Sequence, residues 1–392
     1  MNYILANNNI LTPLGLKSIE ELTIQDNVYS LDSNNIFNIT PIMEIHKDVS
    51  FNEFLQIKSQ SGNFYIPKEG ICYKLHLHNF NNKYGYDKSI IAVKAQELCR
   101  DDYVIQPTNL TGLNCNIEII DLLPIIQDLL KLYVPTPKLF MENNFIWICR
   151  SSSQHLKIPR FINAQALCNI LAWYIAEGCS KKDCYTRHNK DGSKYRSEFS
   201  QSLKANLPKV EKIKQDLNDA QFNAKFQFSK QLYNGIPRDV TIFMSNIMAV
   251  LMQSCGCCST EKQIPLWLKQ VLYKSQILRE QFLYTICLAD GFATNSRYPG
   301  FCTCSQKLLY DMITLIQLSG YHFTLQNTKN RTKYITYSKL GTKNALISLG
   351  HAKFCKIIDI VSVKYNIPSY KIKLKDYHNL LVGDYGQILI QI

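Results

Sequence analysis

Two carboxylates, Glu177 and Asp290, stand at matched places in this sequence, each closing an apolar stretch and each followed by glycine. The first stretch reads Leu171-Ala172-Trp173-Tyr174-Ile175-Ala176-Glu177-Gly178, and the second reads Phe282-Leu283-Tyr284-Thr285-Ile286-Cys287-Leu288-Ala289-Asp290-Gly291. Apolar spacing predicts a helix in each, with the glycine as its C-cap. An acid in the last turn of a helix faces the negative end of the helix dipole, at a cost of about 0.3–1 kcal/mol. One such residue is ordinary for a capped core helix. Two at matched positions ask for a compensating partner, and a divalent cation is the natural one. If the helices pack side by side, Ala172, Ala176 and Ala289 permit close approach, and the carboxylates meet at one end. Paired carboxylates suit Mg²⁺, which keeps waters and phosphate oxygens as its other ligands. Such a site activates water and stabilises charge developing on a phosphate, which is the chemistry of phosphodiester hydrolysis.

Both stretches belong to a longer, degenerate repeat. The first copy carries Lys157-Ile158-Pro159 upstream, then Phe199-Ser200-Gln201 and Phe222-Asn223-Ala224-Lys225-Phe226 downstream. The second carries Lys262-Gln263-Ile264-Pro265, then Cys304-Ser305-Gln306, a helical run from Leu308 to Leu318, and Gly320-Tyr321-His322-Phe323-Thr324-Leu325. Two such halves in one chain imply a pseudo-two-fold body, matching the approximate two-fold symmetry of duplex DNA. Basic residues follow each copy: Lys181, Lys182, Arg187, Lys190, Lys194 and Arg196 in the first half, and Arg297, Lys329, Arg331, Lys333 and Lys339 in the second. Tyrosines interleave them. A twisted β-ribbon so decorated fits a major groove, with cations on phosphates and polar groups on base edges. The plainer alternative is a pair of solvated basic loops.

The elements that position these groups fall into three regions. Residues 1 to about 113 read as short strands punctuated by Gly, Asn, Asp and Pro. Residues 115 to about 350 mix helices and strands, and the strand pattern returns from about 355 to 392. A β domain interrupted by an α+β insertion is the simplest layout, and it requires the two ends of the chain to come together. The 392 residues are enough for two or three cores, and 46% apolar with 19% charged residues excludes a disordered chain. Lys plus Arg exceed Asp plus Glu by 44 to 31, a net +13 that attracts polyanions, nucleic acid before an anionic membrane surface. No stretch approaches the roughly 18–20 apolar residues of a membrane span, and Met1 to Asn9 is not a signal peptide, so a cytoplasmic (nucleoid-associated) or nuclear protein is expected. The fourteen cysteines are then expected to be reduced. Cys255-Gly256-Cys257-Cys258 holds a lone C-x-x-C, which Cys302 and Cys304 would have to complete for zinc; buried thiols are the alternative.

The ordered set of motifs resembles the LAGLIDADG (DOD-type) homing endonucleases of the intein-encoded kind, over nearly the whole chain. The resemblance implies an αββαββα pseudo-two-fold endonuclease domain inserted in an all-β Hint (intein) horseshoe. The expected boundaries are 1–113, 114–354 (repeats at about 157–255 and 262–354) and 355–392. It implies metal-binding catalytic acids at Glu177 and Asp290, a catalytic lysine at Lys262 and its counterpart at Lys353, where an ammonium would stabilise phosphate charge or polarise water. Mg²⁺ as cofactor, a long duplex DNA site as partner and a monomeric protein follow.

The flanking regions resemble intein blocks at Ile10-Leu11-Thr12-Pro13-Leu14-Gly15, at Asp102-Tyr103-Val104 and at Tyr377-His378-Asn379-Leu380-Leu381-Val382. The splicing residues of that family do not carry over. Tyr3 occupies the place of the nucleophilic Cys or Ser, and a phenol cannot form the five-membered ring of an acyl shift. Ile66 and Glu69 replace the Thr and His of Thr-x-x-His. Gln391 and Ile392 stand where a closing His-Asn is expected, and with nothing beyond them no downstream segment is expected. The sequence therefore reads as a double-strand DNA endonuclease on a splicing-inactive scaffold. A decayed, non-catalytic DNA-binding protein is the alternative, and a self-splicing protein a distant third.

Overall fold

The computed structural model describes residues 3–78, 87–107, 110, 114–133, 136–148, 157–180, 196–233, 235–292, 299–327, 332–338, 348–349 and 352–392. Among these, strands outnumber helices in a mixed α/β chain. Its helices are α1 (Leu122–Leu130), α2 (Ala164–Glu177), α3 (Leu203–Asp219), α4 (Ile247–Gln253), α5 (Leu266–Lys274), α6 (Gln276–Asp290) and α7 (Gln306–Leu318). None of them is long and apolar enough to cross a membrane. The chain divides into two compact units: Met1–Leu113 with Met312–Gln326 and Ile335–Ile392, and Asn114–Asp311 with Asn327–Tyr334. The division passes through α7. The expected break at 354/355 falls inside the continuous strand Ala352–Val363, because the strand Tyr103–Pro107 pairs with it on both sides of that point, from Pro107 opposite Ala352 to Tyr103 opposite Lys356.

In the first unit the two terminal segments pair with each other. Ile4–Leu5 lies on Ile367–Leu374, which continues to Phe37–Phe51 and Asn27–Leu31. In the larger sheet Asn9–Thr12 adjoins Asn379–Gly383, and Ile388–Gln391 joins that strand to Ile71–His78. Alternating apolar residues drive this pairing, since each strand turns one face to a shared core. Ile10, Val28, Ile57, Phe64, Val104, Ile357, Leu380, Val382 and Ile390 are all buried there. Residues more than 300 apart in sequence thus share one core, as an interrupted β domain requires.

In the second unit, α2 and α6 pack side by side. Helix α2 is buried from Ala166 to Ile175 with Asn169 the single polar residue of that run, which is what a central helix needs. It begins at an Asn163 cap, whose side chain accepts the Ala166 N–H at 2.9 Å. Buried Asp216 of α3 accepts from the Asn169 amide and from the Trp173 indole, both at 3.0 Å, and ties α2 to α3. Chain order repeats after each central helix. Gly178–Ser180 and Arg196–Ser202 lead from α2 to α3, and Gly291–Phe292 and Gly300–Thr303 lead from α6 to α7. In the first half the strands order as Gly178–Ser180, Arg196–Ser202, Asp239–Ser245 and Lys225–Phe228 in one antiparallel sheet.

Candidate active site

Helix α2 ends at Glu177 and α6 at Asp290, and each passes directly into a strand through its glycine. The glycines are not left-handed caps. Their φ angles are −89° at Gly178 and −95° at Gly291, in extended backbone. Close approach requires them instead. A Cβ on Gly178 would lie 2.2 Å from the Tyr174 ring, and one on Gly291 would lie 2.4 Å from the Gly300 carbonyl. Of the expected small residues, Ala172 and Ala289 are buried and Ala176 is half-buried.

Both carboxylates line one cleft of about 490 Å³ in the second unit, together with Lys262, Cys179, Cys302 and Thr332. Burial raises the Glu177 carboxyl above its usual range; a side-chain hydrogen bond with Gln201 lowers it, the Asp290 charge raises it and Lys209 lowers it. Burial likewise raises Asp290, opposed by Lys209, even though this side chain is exposed at the cleft mouth. The two acids therefore feel each other.

Two lysines cap the helix ends. Lys262, only 3% exposed, donates from Nζ to the Tyr174 carbonyl at 3.0 Å, and its ammonium sits 3.6 Å from the Tyr174 ring centre. Burial pushes its amine down to about 8, against the pull of nearby Cys255, Cys179, Cys257 and Cys258. Lys209 donates to the Ala289 carbonyl at 2.7 Å in the last turn of α6. Each acid-bearing helix thus receives a cation at its negative end. The compensation that the sequence assigned to a metal is partly supplied by the protein. Lys209 was not foreseen: it lies on α3, just after a kink at Asn206 where Pro208 interrupts the helix, and nothing local marks it. The role of Gln201 was also missed, although its place in the repeat was visible. It is 3% exposed, its Oε1 accepts from Asn206 at 3.0 Å, and its Nε2 has no close partner besides the site it faces.

Other expected residues lie elsewhere. Lys353 is in the strand Ala352–Val363 of the first unit, paired with Gln106. Arg196 starts the strand Arg196–Ser202, and Lys333, half-buried, starts Lys333–Ser338. Lys181, Lys182, Arg187, Lys190, Lys194, Arg297, Lys329, Arg331 and Lys339 lie outside the described residues. Among those described, no group of three or more His, Cys, Asp or Glu is placed to hold a metal. Cys255 is fully buried, and burial drives its thiol up to about 12, whereas Cys258 stands half-exposed beside Thr260.

The positions where the intein resemblance expects splicing residues hold packing and surface residues. Tyr3 stacks edge-on against Phe51 at 5.1 Å and carries Lys371 over its ring at 4.9 Å. Ile66 is 1% exposed in the core. Glu69 forms a surface ion pair with Lys94 at 2.7 Å. Gln391 pairs with Asn379 in the sheet, and the Ile392 N–H donates to the His378 carbonyl at 2.8 Å.

No family model matches the sequence, and no curated protein matches it. Solved structures do show partial likeness. The chain is similar to the homing endonuclease I-DmoI, crystallised with DNA and Mn, at 12% identity and TM-score 0.32 over 45% of this chain and 90% of that one. It is also similar to a bacterial intein-like domain from Clostridium thermocellum at 19% identity and TM-score 0.21 over 27% of this chain and 67% of that one. The DnaX mini intein from Spirulina platensis gives 15% identity and TM-score 0.21 over the same shares, 27% and 67%.

Proposed function

We propose that this protein is a sequence-specific DNA endonuclease that hydrolyses both strands with a divalent metal, Mg²⁺ being the expected ion. It acts as a monomer on a long duplex site, and its β unit is a scaffold of protein-splicing ancestry without splicing chemistry. The observation that carries this reading is the convergence of Glu177 and Asp290, the ends of two packed helices, on one cleft with Lys262. The donor set fits a hard divalent ion: two carboxylates that repel each other, with the buried Gln201 amide beside Glu177. Glu177 and Asp290 would hold the metal, which when bound lowers the pKa of its water and neutralises charge on the scissile phosphate. Lys209 favours the ionised form of both acids. Lys262 fixes the end of α2 and presents its remaining N–H groups to developing negative charge.

For DNA, the solvent face of the first-half sheet offers Ser200, Thr241, Lys225 and Gln227, which alternate with the buried Phe199, Gln201, Val240 and Ile242. Both halves of the pseudo-dimer lie in one chain, which supports a monomer. Its work belongs in the nucleoid or nucleus, where such DNA is.

The test is cleavage of a randomised duplex library with Mg²⁺, sequencing the new ends, beside a Glu177→Gln/Asp290→Asn control. Recurrent ends that vanish in the control support the proposal and name the site. Salt-sensitive retention of one sequence without cleavage would replace it with a non-catalytic DNA-binding protein.

A further inference from the structure

A second cleft, of about 910 Å³, lies in the second unit between the hairpin of Leu139–Glu142 with Phe145–Ile148 and the C-terminal end of α3. Its lining is rich in carboxamides, from Asn143, Asn218, Gln221 and Asn223. All four are exposed to solvent at the cleft surface. Phe145 forms an apolar wall and is 39% exposed. Two cations stand at the cleft: Lys225, exposed at the start of an edge strand, and Lys157, paired with Glu142 at 2.8 Å.

Gln221 sits at a backbone position that glycine fills without strain. Helix α3 ends in a paired turn: the Phe222 N–H donates to the Leu217 carbonyl at 2.8 Å and the Gln221 N–H to the Asn218 carbonyl at 2.9 Å. This motif puts one residue in the left-handed region, where glycine is the residue without strain. Gln221 takes that place with φ +53°. Helix α7, its counterpart in the repeat, ends in the same pattern, with Tyr321 N–H to Ile316 carbonyl at 3.0 Å and Gly320 N–H to Gln317 carbonyl at 2.9 Å. There the left-handed residue is Gly320, φ +73°. The same turn in one chain is thus closed by glycine after α7 and by glutamine after α3, where the side chain lines the cleft.

We propose that this cleft binds a single unstacked nucleobase with its phosphate. Phe145 offers a stacking face, the carboxamides can both donate to and accept from a base edge, and exposed Lys225 suits the phosphate, while Lys157 stays paired with Glu142 of the same lining. Free nucleotide and single-stranded DNA share this chemistry. Only the second source rests on the endonuclease reading.

The test uses the full-length Glu177→Gln/Asp290→Asn protein in EDTA, so that failure of the nuclease reading leaves the result intact. Binding of dAMP, dGMP, dCMP and dTMP, and of the four homotetranucleotides, is measured by calorimetry. Saturable binding is expected for at least one base, weakened roughly tenfold by Phe145→Ala. Gln221→Gly should weaken it roughly threefold or more while the melting temperature stays equal or rises, since strain is relieved. Equal affinity for mononucleotide and tetranucleotide assigns the cleft to free nucleotide, and a preference for the tetranucleotide assigns it to a DNA strand. Absence of saturable binding by any probe, or wild-type affinity in both cleft variants, overturns the proposal.

Discussion

Two sets of buried polar groups, one from each unit, face different surroundings. In the β unit, Asn8 is fully buried and bonds back to Leu5 and Tyr65, with distances of 2.7 to 3.2 Å. Asn379 accepts from Ser30 and Leu31 and donates to the Leu31 carbonyl, all at 2.7 to 2.8 Å. Each amide closes a gap between strands. In the second unit, Gln201 keeps a buried donor beside two carboxylates, and Lys262 is held where its charge is disfavoured. Buried polar groups that are internally satisfied stabilise a fold, whereas those left facing a cleft are held ready for something that enters it. Internally satisfied amides suit a scaffold, and polar groups facing a cleft suit the proposed reaction site.

This contrast gives graded expectations. Glu177→Gln or Asp290→Asn should lower single-turnover cleavage by roughly three orders of magnitude, the loss of metal-assisted stabilisation. Tyr3→Ala in the β unit should leave the same rate within about threefold, as expected of a site remote from transition-state stabilisation. Undiminished cutting by Glu177→Gln would remove the reaction site from the second unit.

Lys262→Met should cost roughly a hundredfold in rate, in line with loss of a charge-stabilising donor. Its pH profile is the sharper readout. Because the Lys262 amine is depressed to about 8, wild-type cleavage that needs the ammonium is full below that pH and falls as pH rises through it. The variant should lose this alkaline limb, and a limb that persists would assign it to another group.

Ile66→Ala should lower unfolding free energy by about 2–4 kcal/mol, measured by denaturant titration, because the site is core. Cleavage per folded molecule should not change. Lys209→Ala leaves the Ala289 carbonyl without its lysine and removes the cation that lowers both acids. Mg²⁺ titration of cleavage should show roughly tenfold weaker activation, the scale of a lost supporting contact.

The smallest effect concerns stability without metal. The folded Glu177 carboxyl is raised, so its contribution to stability is full below the ordinary carboxylate range and is lost as pH rises through the raised value. Glu177→Gln should therefore melt higher than wild type at neutral pH, with the difference shrinking on acidification. Scanning calorimetry in EDTA at pH 7 and pH 4 checks the sign.

The sequence alone determined that two acid-ended helices recur and that strands flank them, and it put Tyr3, Ile66 and Glu69 where the intein resemblance expects splicing residues. These features are local: helical spacing, a carboxylate before glycine, and the identity of single residues need no third dimension. It misled where local form has two explanations. Gly178 and Gly291 were expected as ordinary caps, yet their backbones are extended, and what excludes a side chain is Tyr174 in one case and the Gly300 carbonyl in the other. Only the tertiary structure brought Lys209 to the end of α6 and Gln201 to Glu177, and only it drove the Lys262 amine down to about 8. Those outcomes depend on which chains meet after folding and how much water they exclude, and neither quantity is written in the spacing of residues along the chain.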